Sequence, residues 1–297
     1  MSIKLDGDLI TFQAPDSDSK AIVTKLGATL ISFVVEDTEY IYLSQAANTS
    51  SDTATAIPVR GGIPIIFPAF GKSYLDSLKS LQSHGFARNL KWDFIIGEVL
   101  DDFTRVKFKL STNNCKNYEQ FKKWCDYYDT VIDFEISLVF NLFKDKVTIN
   151  VDFTNFNINE LEFQFLFHTY FKVPSVDDMY IIGLQNLKYI DRLAIKYKIH
   201  DSPMFKISQQ TDSLFKLNDD IDSIDILSGD SNIRLTSSKN LDDLVIWNPW
   251  KDAAFKMKDF EPKESYKNMI CVEFGSVEGN VVKKGQVWHC DHTINII

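Results

Sequence analysis

The sequence lacks the features of secreted, membrane-spanning and nucleic-acid-binding proteins. Its four cysteines have no Cys-x-x-Cys spacing, so we expect free thiols in a reducing compartment. No apolar run approaches the ~20 residues of a transmembrane helix, and residues 1–8 are too acidic and polar for a signal or transit peptide. The net charge of −9 argues against a nucleic-acid surface, which needs clustered cations. These absences predict a cytoplasmic protein that binds neither membranes nor nucleic acids.

Linkers and internal repeats are missing as well. No Pro/Gly/Ser-rich segment divides the chain, and no period of 20–50 residues recurs. A chain of 297 residues with 44% apolar residues can bury one large core. The small, polar residues 44–58 predict a surface loop. We therefore expect a single domain over residues 1–297.

Helix patterns are scarce, and strand patterns dominate. Apolar and polar side chains alternate over residues 105–110, 132–140 and 147–153, which is typical of antiparallel strands with one buried face. Only Tyr118–Tyr128 shows the three- and four-residue spacing of a helix. The pattern predicts an all-β fold, a large antiparallel β-sandwich.

The range Phe163–Phe171 reads as one continuous strand with two unlike faces. Its phenylalanines fall on one face, interrupted only by Thr169, and His168 falls on the other. A rigid strand can hold such an imidazole in position for a polar ligand. A core histidine with one structural hydrogen bond would give the same pattern.

Glu273 lies in the middle of the apolar run Met269–Gly275. Buried glutamates are rare unless they are paired or functional, because desolvation disfavours the charged form. Both a structural salt bridge and a poised acid–base group fit this position.

Two arginines stand in glycine-containing segments, Arg60–Gly62 and His84–Arg88. We expect the glycines to let the backbone approach a ligand, and the guanidinium groups to offer a planar fork to oxyanions. A single arginine is more often part of a surface ion pair, but two in an acidic protein favour a phosphate site. Trp247, beside a turn, is either a core side chain or a platform for a sugar ring.

Six segments, in this order, resemble those of hexose-6-phosphate mutarotases (glucose-6-phosphate 1-epimerases) of the aldose 1-epimerase superfamily, most closely the fungal branch. They are Arg60–Gly62, Phe67–Gly71, His84–Arg88, Phe167–Phe171, Val245–Trp250 and Cys271–Glu273. The resemblance implies a galactose-mutarotase-like supersandwich that interconverts the anomers of glucose 6-phosphate and related hexose 6-phosphates. It implies no metal and no organic cofactor, and we expect a monomer.

The resemblance also implies residue roles. It makes Glu273 the general base and His168 the general acid, meeting across one pocket, and Arg60 and Arg88 ligands of phosphate or substrate. The other substrate-binding candidates are His84, Asp212 and Trp247. We expect burial to raise the pKa of Glu273 and a nearby carboxylate to keep His168 protonated.

Two positions depart from the family's pattern. Ser83 stands where relatives carry a longer amide, and Phe274 stands where a proline usually follows the glutamate. Neither change removes a catalytic group.

Three other functions fit parts of the sequence. A mutarotase of unphosphorylated aldoses differs only in what the arginines bind, and a non-catalytic sugar-phosphate-binding protein would not need the acid and base. A metal-dependent cupin-type enzyme would use His84, His168 and Glu273, but it usually shows closely spaced ligands such as His-x-His. His289–His292 resembles a metal motif, yet strand alternation places His289 opposite Cys290 and His292.

Overall fold

The computed structural model describes residues 2–51 and 57–297. Met1 and residues 52–56 of the predicted 44–58 loop lie outside these ranges, and the described part of that loop contains no strand or helix. The described residues form twenty-two strands: β1 (Ile3–Asp6), β2 (Leu9–Gln13), β3 (Lys20–Thr24), β4 (Thr29–Val35), β5 (Thr38–Glu39), β6 (Ile65–Ile66), β7 (Asp93–Val99), β8 (Thr104–Ser111), β9 (Phe134–Leu142), β10 (Lys146–Asn155), β11 (Glu160–Phe167), β12 (Tyr170–Lys172), β13 (Tyr180–Ile182), β14 (Lys188–Asp191), β15 (Lys196–Ile199), β16 (Met204–Phe205), β17 (Thr211–Lys216), β18 (Ile224–Leu227), β19 (Ile233–Ser237), β20 (Asp243–Asn248), β21 (Met269–Lys283) and β22 (Val287–Ile296). The helices of the same ranges are α1 (Thr112–Cys115), α2 (Glu119–Tyr127) and α3 (Trp250–Lys256), with short 3-10 helices at Ala87–Asn89 and Lys263–Lys267.

The strands form three antiparallel sheets. Strands β1 to β5 make a five-stranded sheet in chain order. A nine-stranded sheet has the order β16-β13-β18-β19-β22-β10-β9-β8-β7, and an eight-stranded sheet has the order β15-β14-β17-β20-β21-β11-β6 with β12 also paired to β21. This architecture confirms the predicted all-β class.

The main core lies between the nine-stranded and eight-stranded sheets. Phe153 of β10 and Trp288 of β22 both contact Phe163 of β11, with ring centroids 4.7 and 5.2 Å apart. The phenylalanines of the Phe163–Phe171 stretch are all buried in this core. Burying one such side chain stabilises the fold by roughly 1.5–3 kcal/mol, so the alternating pattern holds the two sheets together as a sandwich.

The Phe163–Phe171 stretch is two strands rather than the one that was predicted. Strand β11 ends at Phe167 and β12 begins at Tyr170. The neighbouring segment continues the pairing, since His168 N–H donates to the carbonyl of Pro64 at 3.0 Å. Proline has no N–H to return a bond, so the ladder is interrupted at His168 while the chain keeps its direction.

The helix predicted over Tyr118–Tyr128 is confirmed as α2, which buries Phe121, Trp124 and Cys125. The sequence patterns did not predict α3, which begins directly after Pro249. No helix of the described ranges has the length and apolar character needed to cross a bilayer.

Candidate active site

The predicted acid and base lie on one face of the eight-stranded sheet, where strand register brings them together. Tyr170 of β12 pairs with Cys271 of β21, and Phe165 and Leu166 at the end of β11 pair with β21 in the same register. Two residues along, that register places His168 opposite Glu273. Directly opposed side chains on antiparallel strands meet, with Cβ atoms about 4.5–5.5 Å apart. His168 Nδ1 is 3.1 Å from Glu273 Oε1, so the two groups, hereafter the His–Glu pair, touch directly.

A second row of paired residues lies beside the His–Glu pair on the same face. Asp212 of β17 pairs with Trp247 of β20, Trp247 pairs with Cys271, and Cys271 pairs with Tyr170. Paired residues share a face of the sheet, and so do residues two apart on one strand. Register alone therefore collects side chains that are about a hundred residues apart in the chain.

Both members of the His–Glu pair are nearly buried, with 8% and 2% of their surface exposed. Burial raises the pKa of Glu273 well above its usual value, and the negative charge of Asp212 adds to the rise. Burial lowers the pKa of His168 well below its usual value, and the neighbouring His84 and Arg88 lower it further. The rise expected for Glu273 is confirmed. The expectation that a carboxylate keeps His168 protonated is wrong, because desolvation and cationic neighbours outweigh it.

Three buried polar atoms around the pair make no hydrogen bond within the part of the chain that is described: His168 Nδ1, Arg88 Nε and Asp212 Oδ1. The contacts of His168 with Glu273, and of Asp212 with Arg192 at 3.4 Å, have ion-pair distances without hydrogen-bond direction. Buried polar atoms are normally satisfied, so three such atoms in one place indicate a polar ligand.

Arg60 borders this face and is held by two contacts. Its Nε donates to Asp259 Oδ2 at 3.2 Å, and its Nη1 donates to the Tyr170 hydroxyl at 3.1 Å. A quarter of the side chain is exposed, so the guanidinium is fixed in direction yet accessible to an anion from solvent.

The glycines beside Arg60 serve internal packing, which corrects the expectation that they approach a ligand. A Cβ on Gly61 would lie 2.4 Å from the carbonyl oxygen of Tyr42, and one on Gly62 would lie 2.5 Å from that of Leu30. Both residues have positive φ, which disfavours other side chains. The segment can therefore pack closely enough to aim Arg60 only with glycine at both positions.

His84 and Arg88 also lie beside the His–Glu pair. His84 has a φ of 68°, and its ring centroid is 5.8 Å from that of His168. Burial lowers the pKa of His84 to about 3, and the charge of Arg88 adds to the effect, so the ring is neutral at pH 7. Arg88 is in a 3-10 helix and donates from Nη2 to the carbonyl of Ser83 at 3.4 Å. Burial lowers the pKa of Arg88 to about 10, which leaves it charged.

Arg192 is one residue of this face to which sequence reasoning gave no role. Its N–H donates to the carbonyl of Asp212 at 2.8 Å, and its guanidinium carbon lies 4.7 Å from the ring centroid of Phe70. Burial raises the pKa of Asp212, and the charge of Arg192 opposes that rise. Arg192 directly follows β14 in a short charged segment without a motif. Only the pairing of β14 with β17 reveals where it lies.

Trp247 stands edge-on to two members of the site. Its ring centroid is 6.1 Å from that of His168 and 6.0 Å from that of Tyr170, at steep interplanar angles. The side chain is half-buried, so part of it remains available to a sugar ring. The structure thus places every predicted site residue on or beside one sheet face.

The two departures from the family pattern leave the His–Glu pair's surroundings intact. Phe274 points to the opposite face of β21 and packs in the core against His292, with ring centroids 5.1 Å apart. Ser83 is exposed and contributes its backbone carbonyl to Arg88.

One group of side chains in the described ranges could hold a metal ion. The ligand atoms of His168, Cys271 and Glu273 lie within 4.8 Å of one another, a set that differs from the predicted one in that Cys271 replaces His84. Burial raises the pKa of Cys271 well above its usual value, so the thiol stays protonated and is a poor ligand at neutral pH. The arginines around the pair also repel a cation. The site therefore fits side-chain acid–base chemistry better than it fits a metal.

The second metal-like segment is split as predicted. His289 is exposed and its Nδ1 lies 2.7 Å from Asp152 Oδ1, whereas Cys290 and His292 are buried. Its side chains cannot converge on one ion.

Comparison with known proteins gives consistent results. The family model described as aldose 1-epimerase matches residues 8–294. A protein of Cenchrus ciliaris is 27% identical over 84% of this chain and 73% of its own, and one of Escherichia coli K12 is 28% identical over 99% and 92%. Both are named as candidate glucose-6-phosphate 1-epimerases. The crystal structure of a candidate mutarotase from Salmonella typhimurium aligns with a TM-score of 0.81 at 24% identity, covering 99% of this chain and 92% of that one. At that identity the likeness shows the fold, and it confirms the galactose-mutarotase-like architecture.

Proposed function

The chain belongs to the aldose 1-epimerase family, and from that premise we propose that it interconverts the α and β anomers of glucose 6-phosphate and related hexose 6-phosphates. The observation that supports this most directly is the 3.1 Å contact between His168 Nδ1 and Glu273 Oε1. This contact lies on a sheet face that Arg60 borders. Three buried polar atoms around it make no hydrogen bond within the described residues. The names of the two relatives point to the same substrate.

Anomer exchange needs one proton removed and one added. Glu273 takes the proton of the C1 hydroxyl, the electrons of that O–H bond form the C1 carbonyl, and the bond from C1 to the ring oxygen breaks. His168 gives its proton to the ring oxygen. After rotation about the C1–C2 bond, the same two residues exchange roles and the ring closes on the other face of the carbonyl.

The environment of the His–Glu pair suits this reversible exchange. Burial raises the pKa of Glu273 and lowers that of His168, so each moves toward the ordinary value of the other. In the substrate-free protein both shifts favour the form in which the proton of the pair is on Glu273 and His168 is neutral. Ring opening uses the other form, with the proton on His168, and leaves the pair in the neutral form. Ring closure runs the same two proton transfers in reverse, so each turnover uses both forms of the pair.

The remaining residues bind substrate in this proposal. Arg60 and Arg88 bind the phosphate. Guanidinium groups suit this role, because they form paired hydrogen bonds to phosphate oxygens and few other positive charges compete in an acidic protein. The sugar is bound by His84, Asp212 and Trp247. Asp212 offers a buried carboxylate oxygen without a hydrogen bond in the described residues, which a sugar hydroxyl would satisfy.

We propose further that the chain acts as one domain and as a monomer in the cytoplasm, without a cofactor. Acid and base both come from side chains of one sheet, so the chemistry needs no second subunit and no bound electrophile.

Two-dimensional exchange NMR on the purified protein tests the proposed function. We expect exchange cross-peaks between the anomers of glucose 6-phosphate and of galactose 6-phosphate at protein concentrations that leave unphosphorylated glucose at its uncatalysed rate. Equal acceleration of glucose would show a mutarotase of unphosphorylated aldoses. Binding of glucose 6-phosphate without accelerated exchange would show a non-catalytic sugar-phosphate-binding protein.

A further inference from the structure

A continuous chain of polar contacts joins Arg60 to the His–Glu pair, and its middle member is Tyr170. Arg60 Nη1 is 3.1 Å from the Tyr170 hydroxyl oxygen, which is 3.4 Å from His168 Nε2. At the far ends, Asp259 contacts Arg60 and Glu273 contacts His168. Strand alternation places Tyr170 on the face of His168, and the family segment Phe167–Phe171 contains it, but neither assigned it a role of its own.

Tyr170 is buried, and both its ring and its backbone are fixed by contacts. It is 1% exposed, and its ring stacks on the His168 imidazole with centroids 4.6 Å apart and planes 14° apart. Its N–H donates to the carbonyl of Gly62, and its own carbonyl accepts from the N–H of Tyr42. The ring therefore limits the rotation of the imidazole, and the hydroxyl is fixed at the Nε2 edge.

The direction of the Arg60–Tyr170 hydrogen bond follows from the groups themselves, and the hydroxyl proton that remains favours one direction for the contact with His168. A guanidinium can only donate, so Arg60 occupies a lone pair of the Tyr170 oxygen. Burial raises the pKa of Tyr170, so the hydroxyl keeps its proton and can donate it to His168 Nε2. The neutral imidazole then carries its own proton on Nδ1, the nitrogen that faces Glu273.

We propose that Tyr170 is a positioning residue that fixes the Nδ1–H tautomer and the orientation of His168 and ties that imidazole to Arg60. The inference rests on the proposed function for its kinetic consequence but not for its structural one. Through this chain the guanidinium that binds the phosphate also orders the acid, so substrate binding and proton transfer share one network.

Tyr170→Phe keeps the ring and removes only the hydroxyl, and it provides the kinetic test. Losing a hydrogen bond to a buried group of the site predicts a fall of about 10- to 100-fold in kcat for glucose 6-phosphate. We expect KM to stay within about twofold, because the phosphate-binding arginines remain. Tyr42→Phe is the matched control: it removes a hydroxyl from the adjacent ring, 6.4 Å away between centroids, and should retain wild-type kcat. A Tyr170→Phe variant with wild-type kcat, or with a loss confined to KM, would overturn the proposal.

Nitrogen-15 NMR of the imidazoles gives a readout that does not depend on catalysis. We expect His168 of the substrate-free protein to show protonated Nδ1 and unprotonated Nε2, and Tyr170→Phe to mix the two tautomers or reverse them. An unchanged tautomer in Tyr170→Phe would overturn the proposal even if the protein catalysed no exchange. Absence of exchange on every sugar, with the tautomer shift present, would refute the proposed function alone.

Discussion

Two buried histidines on opposite sides of the same strands show what distinguishes a candidate catalytic group from a core residue. His168 projects from one face beside Glu273, whereas His292 packs against the other face, between Phe167 and Phe274. Burial lowers the pKa of both imidazoles. His292 Nδ1 donates to the carbonyl of Thr236 at 2.9 Å, which is a fixed structural bond. Burial is common to both, so the carboxylate partner and the surrounding arginines must make the difference.

The largest expected difference is between removing the imidazole of His168 and removing that of His292, measured as the rate of anomer exchange. We expect His168→Asn to slow anomer exchange by about 10²- to 10⁴-fold, because a positioned proton donor contributes about that factor. His292→Asn should retain most of the exchange rate per folded molecule, at a temperature where circular dichroism shows it folded. Comparable losses in the two variants would mean that the imidazole of His168 acts through packing rather than chemistry.

His292 should affect the pH dependence of the free energy of unfolding, although it has little effect on the exchange rate. Its pKa is lowered from 6.5 to about 4 by burial, so between these values the unfolded chain binds the proton more readily than the folded one. Neutral His292 therefore makes its full contribution to the free energy of unfolding above pH 6.5. That contribution is lost as the pH falls toward 4, by about 3 kcal/mol in total. His292→Phe should remove that part of the pH dependence in denaturant unfolding curves. An unfolding free energy with the same slope against pH in both proteins would contradict this account of His292.

The arginines distinguish the two faces further, because the guanidinium groups described above lie on the face of His168 and not on the core face of His292. Arg60→Ala and Arg88→Ala should each lower kcat/KM for glucose 6-phosphate by about 10- to 100-fold, as expected for a lost charge-assisted hydrogen bond. Any exchange of unphosphorylated glucose should change little in Arg88→Ala. Arg60→Ala should slow it too, because Arg60 also contacts the Tyr170 hydroxyl that orders His168. Arg234→Ala, which removes an exposed guanidinium paired with Asp225, is the control and should behave as wild type. Equal losses for both sugars in Arg88→Ala would make Arg88 a general rather than a phosphate ligand.

The smallest expected effect is that of chelation. Cys271 keeps its proton and the arginines repel cations, so dialysis against EDTA should leave the exchange rate of glucose 6-phosphate unchanged. A loss that added zinc restores would show that His168, Cys271 and Glu273 hold a functional metal.

Much of the fold followed from alternation, because a period of two assigns each residue of a strand to a face. That rule placed the phenylalanines of Phe163–Phe171 in the core and His168 away from them. It also separated His289 from His292. The break at His168 could not be predicted, because it depends on Pro64, a residue about a hundred positions away that lies opposite in the sheet.

The site was predictable only in part. His168 and Glu273 stood out as polar residues in apolar strands, and the family resemblance, outside its six segments, supplied Asp212. Arg192 had no such signal, because it lies in a charged hairpin without a motif. Alternation placed Tyr170 on the face of His168, but it lies in an aromatic run, where a core role is the commoner one. Their contacts arise from strand register across β12, β14, β17 and β21, and register is a property of the folded sheet rather than of any segment.

The central claim is that Glu273 exchanges protons with the sugar, and Glu273→Gln tests it most directly because the side chain keeps its shape. Exchange NMR on glucose 6-phosphate should show a rate at least about 100-fold below that of the wild type, with an unchanged circular dichroism spectrum. A folded Glu273→Gln protein that exchanges the anomers at the wild-type rate would contradict the account.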